Sequence, residues 1–250
     1  MEKRQTGNMA IRRKPFQGVF NIIRFNWHFY VLSLLVIAVA YYFSWSVIAS
    51  LALAGSIFSL LISWYIYDLS PLYRLHWLPC NHTEQIIVNI HAGFDETSTL
   101  LEQKYKGAAL KIIDFYNPQK HTEVSIKRAR KAYPVLPQTI ASDASQLPLA
   151  DASADKIFVI FAAHEIRDEA ERREFMKELA RIIKPGGEIF ITEHLRDTAN
   201  FIAYNIGFFH FYSKKNWLQH FKDANLKLDQ EIKLTPFIST FIISRHDHSF

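Results

Sequence analysis

The sequence predicts an α/β domain, doubly wound around a mostly parallel seven-stranded sheet with an antiparallel terminal hairpin, set behind an N-terminal transmembrane helical hairpin. Three observations predict it. From Phe25 to Tyr67 there is no Lys, Arg, Asp or Glu. Beyond residue 84, short apolar runs alternate with amphipathic ones, as in a parallel sheet covered on both faces. Two strand-like runs, "LKLDQEIKL" and "FISTFIIS", then follow each other with only Thr235-Pro236 between them.

About 20 helical residues cross a hydrocarbon core of about 30 Å, so the uncharged run suits two spans and is too long for one. The spans are expected at 28–44 and 46–67, joined at Ser44-Trp45-Ser46, with Trp45 suited to an interface. Lys3, Arg4, Arg12, Arg13, Lys14 and Arg24 precede the first span, whereas the intervening turn carries no basic residue. Both ends are therefore expected on the cytoplasmic side of a cell inner membrane, with two spans and no cleaved signal peptide. The organisation that follows is a basic interfacial segment (1–27), the hairpin (28–67), an interfacial linker (68–83) and the catalytic domain (84–250).

The formal charge of +5 is modest and loaded at the amino end, where a polybasic, aromatic-studded stretch suits an anionic leaflet. No second basic cluster is interleaved with aromatics, so nucleic acid is not expected as a partner. A single cysteine, Cys80, excludes an internal disulfide and a thiolate metal centre, and no metal ligands are assigned.

In the soluble part "IIVNI" (86–90) is a buried strand, Thr97 to Tyr105 a helix and "ALKIIDF" (109–115) a second strand. A charged helix in "HTEVSIKRARKAY" leads to a weak strand near 138–142, and "DKIFVIFA" (155–162) is the clearest buried strand. Phe175, Met176, Leu179, Ile182 and Ile183 recur at three- and four-residue steps, giving the next helix one apolar face before the strand "GEIFITE" (187–193).

Ligands of such sheets bind at the carboxyl ends of the strands, where strand order reverses. Candidate cofactor contacts are thus Asn89, His91 and Gly93 after the first strand, and Asp114 with Phe115 after the second. Asp143 with Ala144 follows the third. Asp114 stands about 20 residues beyond Gly93, the place of an acid that accepts from a ribose diol. Asp143 is positioned to accept from an adenine amino group. Either aspartate alone would serve equally as a cap or turn residue.

"ASDASQLPLADASADKIFVIFAAHEI" followed by "FMKELARIIKPGGEIFITEH" resembles class I S-adenosylmethionine-dependent methyltransferases, especially the quinone- and lipid-methylating branch. The resemblance covers roughly residues 84 to 244. It rests on an Asp, a Leu-Pro, a second Asp opening strand four, and Ile-Lys-Pro-Gly-Gly before strand five. It implies a Rossmann-like fold, S-adenosylmethionine as cofactor and a lipophilic, membrane-resident acceptor such as a quinone, a lipid-linked aromatic or polyketide, or a phospholipid. The first loop departs from the family's glycine-rich pattern, since Asn89-Ile90-His91-Ala92-Gly93-Phe94-Asp95 holds one glycine. "VNIHAGFDETS" is also similar to the relaxed loop of the leucine carboxyl methyltransferase branch. S-adenosylmethionine has no pyrophosphate, so close backbone approach to a phosphate is not required.

His164, with Glu165 beside it, and His194 close adjacent strands, which makes them candidate bases for an acceptor that must lose a proton. Neutral imidazole suits that task. "RDTANFIAYNIGFFHFYSKKNW" (196–217) is dense in aromatics and reads as a lid over a hydrophobic acceptor, with His210 as a further polar contact. Two other classes compete. An NAD-dependent reductase would need a tighter glycine loop and a hydride-transfer constellation, neither of which is present. A noncatalytic membrane scaffold with a degenerate cofactor site finds its support in the missing glycines.

Overall fold

The computed structural model describes residues 13–246. Lys3, Arg4 and Arg12 of the basic segment lie outside the described residues. Two long helices, α1 (Gln17–Tyr42) and α2 (Ser46–Trp64), pack as a hairpin, and each is long and apolar enough to cross a bilayer. Most of their apolar side chains, Leu35, Val47 and Leu51 among them, are exposed. The tip is the three residues 43–45, with Ser44 in the left-handed region (φ 61°).

Helix α1 begins well before the expected span because it is two segments joined at Asn26, whose backbone is non-helical. The break frees carbonyls that an unbroken helix would bond. Arg128 takes one, donating to the Phe25 carbonyl at 2.6 Å and lying 2.8 Å from His28 Nδ1. The first segment therefore lies on the soluble domain, where the Phe25 ring meets Phe94 edge-on and Tyr133 donates to Asn21 Oδ1 at 2.9 Å. Asp68, just past α2, accepts from the Gly18 and Val19 amides at 2.8 and 2.9 Å and closes the free end of α1. Position 18 has no room for a side chain, because a Cβ there would lie 2.4 Å from Tyr67 Cβ.

The stretch after α2 is not the peripheral linker expected. Leu72, Leu75 and Leu78 are buried, and the last two pack against Ile87, Phe158, Phe190 and Ile242 on one face of the sheet. Ile62 and Ile66 share a further cluster with Ala203 and Ile238. The helical hairpin and the sheet domain thus share a packed cluster.

The sheet order is β3-β2-β1-β4-β5-β7-β6, built from β1 (Ile86–His91), β2 (Ala109–Asp114), β3 (Thr139–Ala141), β4 (Ala154–Ile160), β5 (Ile183–His194), β6 (Leu226–Thr235) and β7 (Ile238–Arg245). The first five run parallel, and β7 is antiparallel to both neighbours. The terminal hairpin is present, but its second strand slots between β5 and β6, leaving β6 at the edge. β5 starts at Ile183, so Lys-Pro-Gly-Gly forms an irregularity within the β4–β5 pairing instead of a turn before the strand.

Helices α3 (Ser98–Lys104), α4 (Val124–Ala132), α5 (Glu169–Ile182) and α7 (Lys214–Asp223) accompany the sheet. Phe175, Met176, Leu179 and Ile182 of α5 are all buried in the main core, as their spacing requires. The lid segment holds α6 (Thr198–Tyr204) and a 3₁₀ stretch, Asn205–His210. Its Phe201, Ile202, Ile206 and Phe209 are exposed, whereas Trp217 is fully buried in the core. The lid lies along α2: a Cβ built on Gly55, near the middle of that helix, would come 3.4 Å from the Asn205 amide nitrogen.

Candidate active site

Strand order reverses between β1 and β4, so the carboxyl ends of β1, β2, β4 and β5 converge on one rim. After β1, Asn89 is buried and donates to Thr97 Oγ1 (3.0 Å) and Ser98 Oγ (2.8 Å). Asp95 Oδ1 accepts from the Thr97 and Ser98 amides at 3.0 and 2.9 Å. Asn89 and Asp95 thus hold the loop in shape. Gly93 is in the left-handed region (φ 84°), and a Cβ there would lie 3.0 Å from the Tyr116 ring, so the loop's one glycine is fixed by conformation and by space.

His91 Nδ1 accepts from the Gly93 amide at 3.2 Å, which places the ring proton on Nε2. Burial lowers the His91 pKa and keeps the ring neutral, against the opposing pull of Asp95 and Asp114. Its Nε2 and Asp95 Oδ2 are both buried without a partner. One donor and one acceptor are therefore left over at this loop, a pair suited to the carboxylate and ammonium of an amino-acid ligand.

Asp114 is buried, accepts from the Tyr116 amide at 2.9 Å, and is ion-paired to Arg130 of α4. A ribose diol reaches this carboxylate only if Arg130, whose side chain is one-third exposed, swings away. Asp114→Ala is expected to weaken adenosyl-ligand binding by about ten-fold or more, because each hydrogen bond to a charged group contributes about 1.5–3 kcal/mol. Arg130→Met should tighten binding by about ten-fold by removing the competing cation. Calorimetric titration of both variants reads the two opposite signs, and equal affinities would remove Asp114 from the site.

Asp143 is half-exposed and bonded to Ser145 and to Lys120 (3.2 Å). Hydrogen bonds from the Ser145 amide and hydroxyl lower its pKa. Phe115 and Ala144 lie in the main core, Phe115 against Phe175 and His121. They back the rim and line no open groove.

The histidines depart from expectation. His164 sits in a 3₁₀ turn after β4, Ala163–Glu165, with Nδ1 2.6 Å from Glu193 Oε2 and Nε2 3.2 Å from Glu165 Oε1. Burial opposes its charge, but Glu193 and Glu165 outweigh it and push the pKa up to about 10. Its two carboxylate neighbours favour the charged form, which runs against the expected role of a neutral base. Burial raises the Glu165 pKa, but hydrogen bonds from His164 and His210 outweigh it and hold the group well below the usual range, with Oε2 buried and unpartnered.

His194 is neutral, its pKa pushed down to about 4 mainly by burial. Its Nδ1 faces two acceptors, the Phe237 carbonyl (2.9 Å) and Asn200 Oδ1 (3.1 Å), so Nδ1 carries the proton. Nε2 then accepts from the Tyr67 hydroxyl at 2.8 Å. The ring is stacked between Phe161 and Phe211, with Tyr204 edge-on. His194 is the point where the apolar helical hairpin meets the end of β5, and both ring nitrogens are engaged.

His210 lies on the lid, its Nε2 3.7 Å from Glu165 Oε1. The structure thus brings His164, Glu165 and His210 together and leaves His194 apart. Tyr67 and Arg130 were not singled out in the sequence, and Glu193 was noted there only as the acid preceding His194. Glu193 alone left a signal, an acid at a strand end beside a candidate base.

Residues 96–191 match the family described as "Methyltransferase domain". The methyltransferase-domain likeness thus spans residues 96–191, less than half of the chain. No curated protein matches the sequence. A solved methyltransferase from Aquifex aeolicus is similar in fold, at TM-score 0.53 and 17% identity, covering 76% of this chain and 97% of that one. A Haloferax volcanii complex of a methyltransferase activator with a methyltransferase gives TM-score 0.50 and 17% identity over 73% and 90%. The mitomycin 7-O-methyltransferase MmcR gives 0.53 and 11% over 76% and 57%. These likenesses establish that the domain has the Rossmann-like methyltransferase fold, with β7 inserted beside β5.

Proposed function

We propose that this methyltransferase transfers a methyl group from S-adenosylmethionine to a lipophilic acceptor resident in a membrane. The observation that carries the reading is the hydrogen bond from Tyr67 to His194. It fastens the end of the apolar hairpin to the sheet end that bears the chemistry. Beside it the lid presents Phe201, Ile202, Ile206 and Phe209 outward along α2, continuing the apolar surface of the hairpin. Arg13 and Lys14 precede α1 and Arg24 lies in its first segment, before the break at Asn26, which supports two spans with the domain on the cytoplasmic face of the inner membrane.

S-adenosylmethionine, when bound, supplies a methyl on a sulfonium whose departure leaves a neutral thioether. The His91 Nε2 proton and Asp95 Oδ2 fit its amino-acid end, Asp114 its ribose and Asp143 its adenine. The chain's further task is positioning, since methyl transfer is an in-line displacement. A hydroxyl acceptor must also lose its proton, and Glu165 stands 3.7 Å from His210 of the segment read as a lid. Glu165→Gln is expected to lower turnover by about 100-fold with cofactor affinity unchanged. Single-turnover assays in lipid nanodiscs measure it, and full turnover would exclude the carboxylate from the reaction.

The pairing of Asp114 with Arg130 favours a second reading, a membrane scaffold that no longer takes the cofactor. Calorimetry with S-adenosylmethionine and with NAD separates these cases. Organic-phase counting after incubating labelled S-adenosylmethionine with membranes tests the acceptor class. Label confined to the aqueous phase would overturn the lipophilic assignment.

A further inference from the structure

We propose that His164, Glu165 and His210 form a binding site for a first-row divalent transition cation, zinc foremost, in which the acceptor's hydroxyl oxygen takes the open position. The acceptor's role rests on the reading above; the cation site rests on geometry alone.

The donor atoms of the three residues all lie within 4.8 Å of one another. His164 Nε2 is 3.2 Å and His210 Nε2 3.7 Å from Glu165 Oε1. Donors about 2.0–2.2 Å from a tetrahedral zinc stand roughly 3.4 Å apart, a spacing near that of the cluster, and the Arg167 guanidinium, 2.5 Å from His210 Nε2, must withdraw for that nitrogen to bind. His210, on the 3₁₀ stretch Asn205–His210, is the movable member.

Three further observations point to a cation. Glu193, fully buried, engages His164 Nδ1 at 2.6 Å and leaves Nε2 facing the cluster, the carboxylate–histidine arrangement that orients metal-bound imidazoles. Glu165 Oε2 is buried with no partner. Glu123 lies 3.6 Å from His210 Nδ1, so three carboxylates gather at the two rings, and a metal that displaces the His164 proton leaves them facing one cation, Arg167, at the outer rim. A dication balances that charge.

Two imidazoles and one carboxylate suit zinc, iron or manganese and disfavour magnesium, which prefers oxygen donors and retains its waters. Three protein ligands leave a coordination position open. A hydroxyl bound there releases its proton to solvent more readily. Its oxygen then forms the bond to the methyl carbon as the carbon–sulfur bond breaks and the thioether leaves. The acceptor class is thereby narrowed to phenols, enols and related hydroxyl-bearing lipids.

The test uses full-length protein in detergent, stripped with a chelator and titrated without cofactor with zinc, manganese and magnesium, and with cobalt for its visible spectrum. About one equivalent of zinc should bind, with cobalt bands typical of nitrogen and oxygen ligation, and no comparable magnesium binding. His210→Ala and Glu165→Gln should each abolish stoichiometric binding. Glu193→Gln should weaken it by about 10–100-fold. His210→Asp, which restores a ligand, should recover it and guards against a folding defect in His210→Ala. Cys80 and His82, whose Sγ and Nδ1 lie 3.6 Å apart and could also take zinc, are untouched in these variants, so any loss is read at the cluster. Absence of stoichiometric zinc in the wild type, or unchanged binding in His210→Ala, overturns the site. Failure to bind S-adenosylmethionine, measured separately, overturns only the acceptor's role.

Discussion

Glu193→Ala is expected to lower the unfolding free energy by about 3–5 kcal/mol, the usual loss when one partner of a buried ion pair is removed. The Glu193 side chain is fully buried, and its two oxygens accept from the His164 amide (3.2 Å) and from His164 Nδ1 (2.6 Å). Without them an imidazolium remains inside the fold with only Glu165 to answer it. Thermal unfolding in detergent should show a fall of roughly 10 °C for a domain of this size. A shift within 2 °C or so would mean that His164 is neutral in the folded protein and that the clamp contributes little.

The second large effect is acid destabilisation through His194. Its folded pKa, about 4, lies below the ordinary value of 6.5, so the unfolded chain takes up the proton first. The stabilising contribution is complete above about pH 6.5 and is lost as pH falls through 4, on the order of 3 kcal/mol in all. The groups facing the ring are the Tyr67 hydroxyl, Asn200, the Phe237 carbonyl and the aromatic rings of Phe161, Tyr204 and Phe211. Burial is the main cause of the depression, and the nearby His164 and His210 add to it. The thermal midpoint of the wild type should fall between pH 6.5 and 4, and His194→Gln should flatten that limb. An identical acid limb in the variant would assign the effect to other groups.

Much of the architecture was readable because it follows from local chemistry. Continuous apolar runs such as 155–162 are what a strand buried on both faces requires, and the spacing of Phe175, Met176, Leu179 and Ile182 can face a core only as a helix. The insertion of β7 beside β5 was not readable, since strand neighbours are chosen by side-chain fit and not by order in the chain. The break at Asn26 was hidden for a similar reason, because the residue that satisfies the freed carbonyl, Arg128, is remote in sequence.

The site divides in the same way. The places of Asp114 and of Asn89, His91 and Gly93 at or just after strand ends were legible. The states of the histidines were not. His164 and His194 look equivalent in the sequence, each beside a glutamate at a strand end. The fold gives one two carboxylates and the other a tyrosine, two acceptors and a wall of rings. Protonation is set by those neighbours and not by residue type.

The closeness of the lid to the middle of α2, marked by Asn205 against Gly55, bears on how an acceptor would be handled. If α2 spans the bilayer, the lid sits below the headgroups, and an acceptor's reactive ring meets the rim without its hydrocarbon tail being extracted. Each methylene lifted into water costs about 0.8 kcal/mol, so an enzyme that pulls lipids out discriminates strongly against long chains. This geometry removes that penalty. The rate should then follow the acceptor's surface density in the membrane and be indifferent to how many carbons its tail contains.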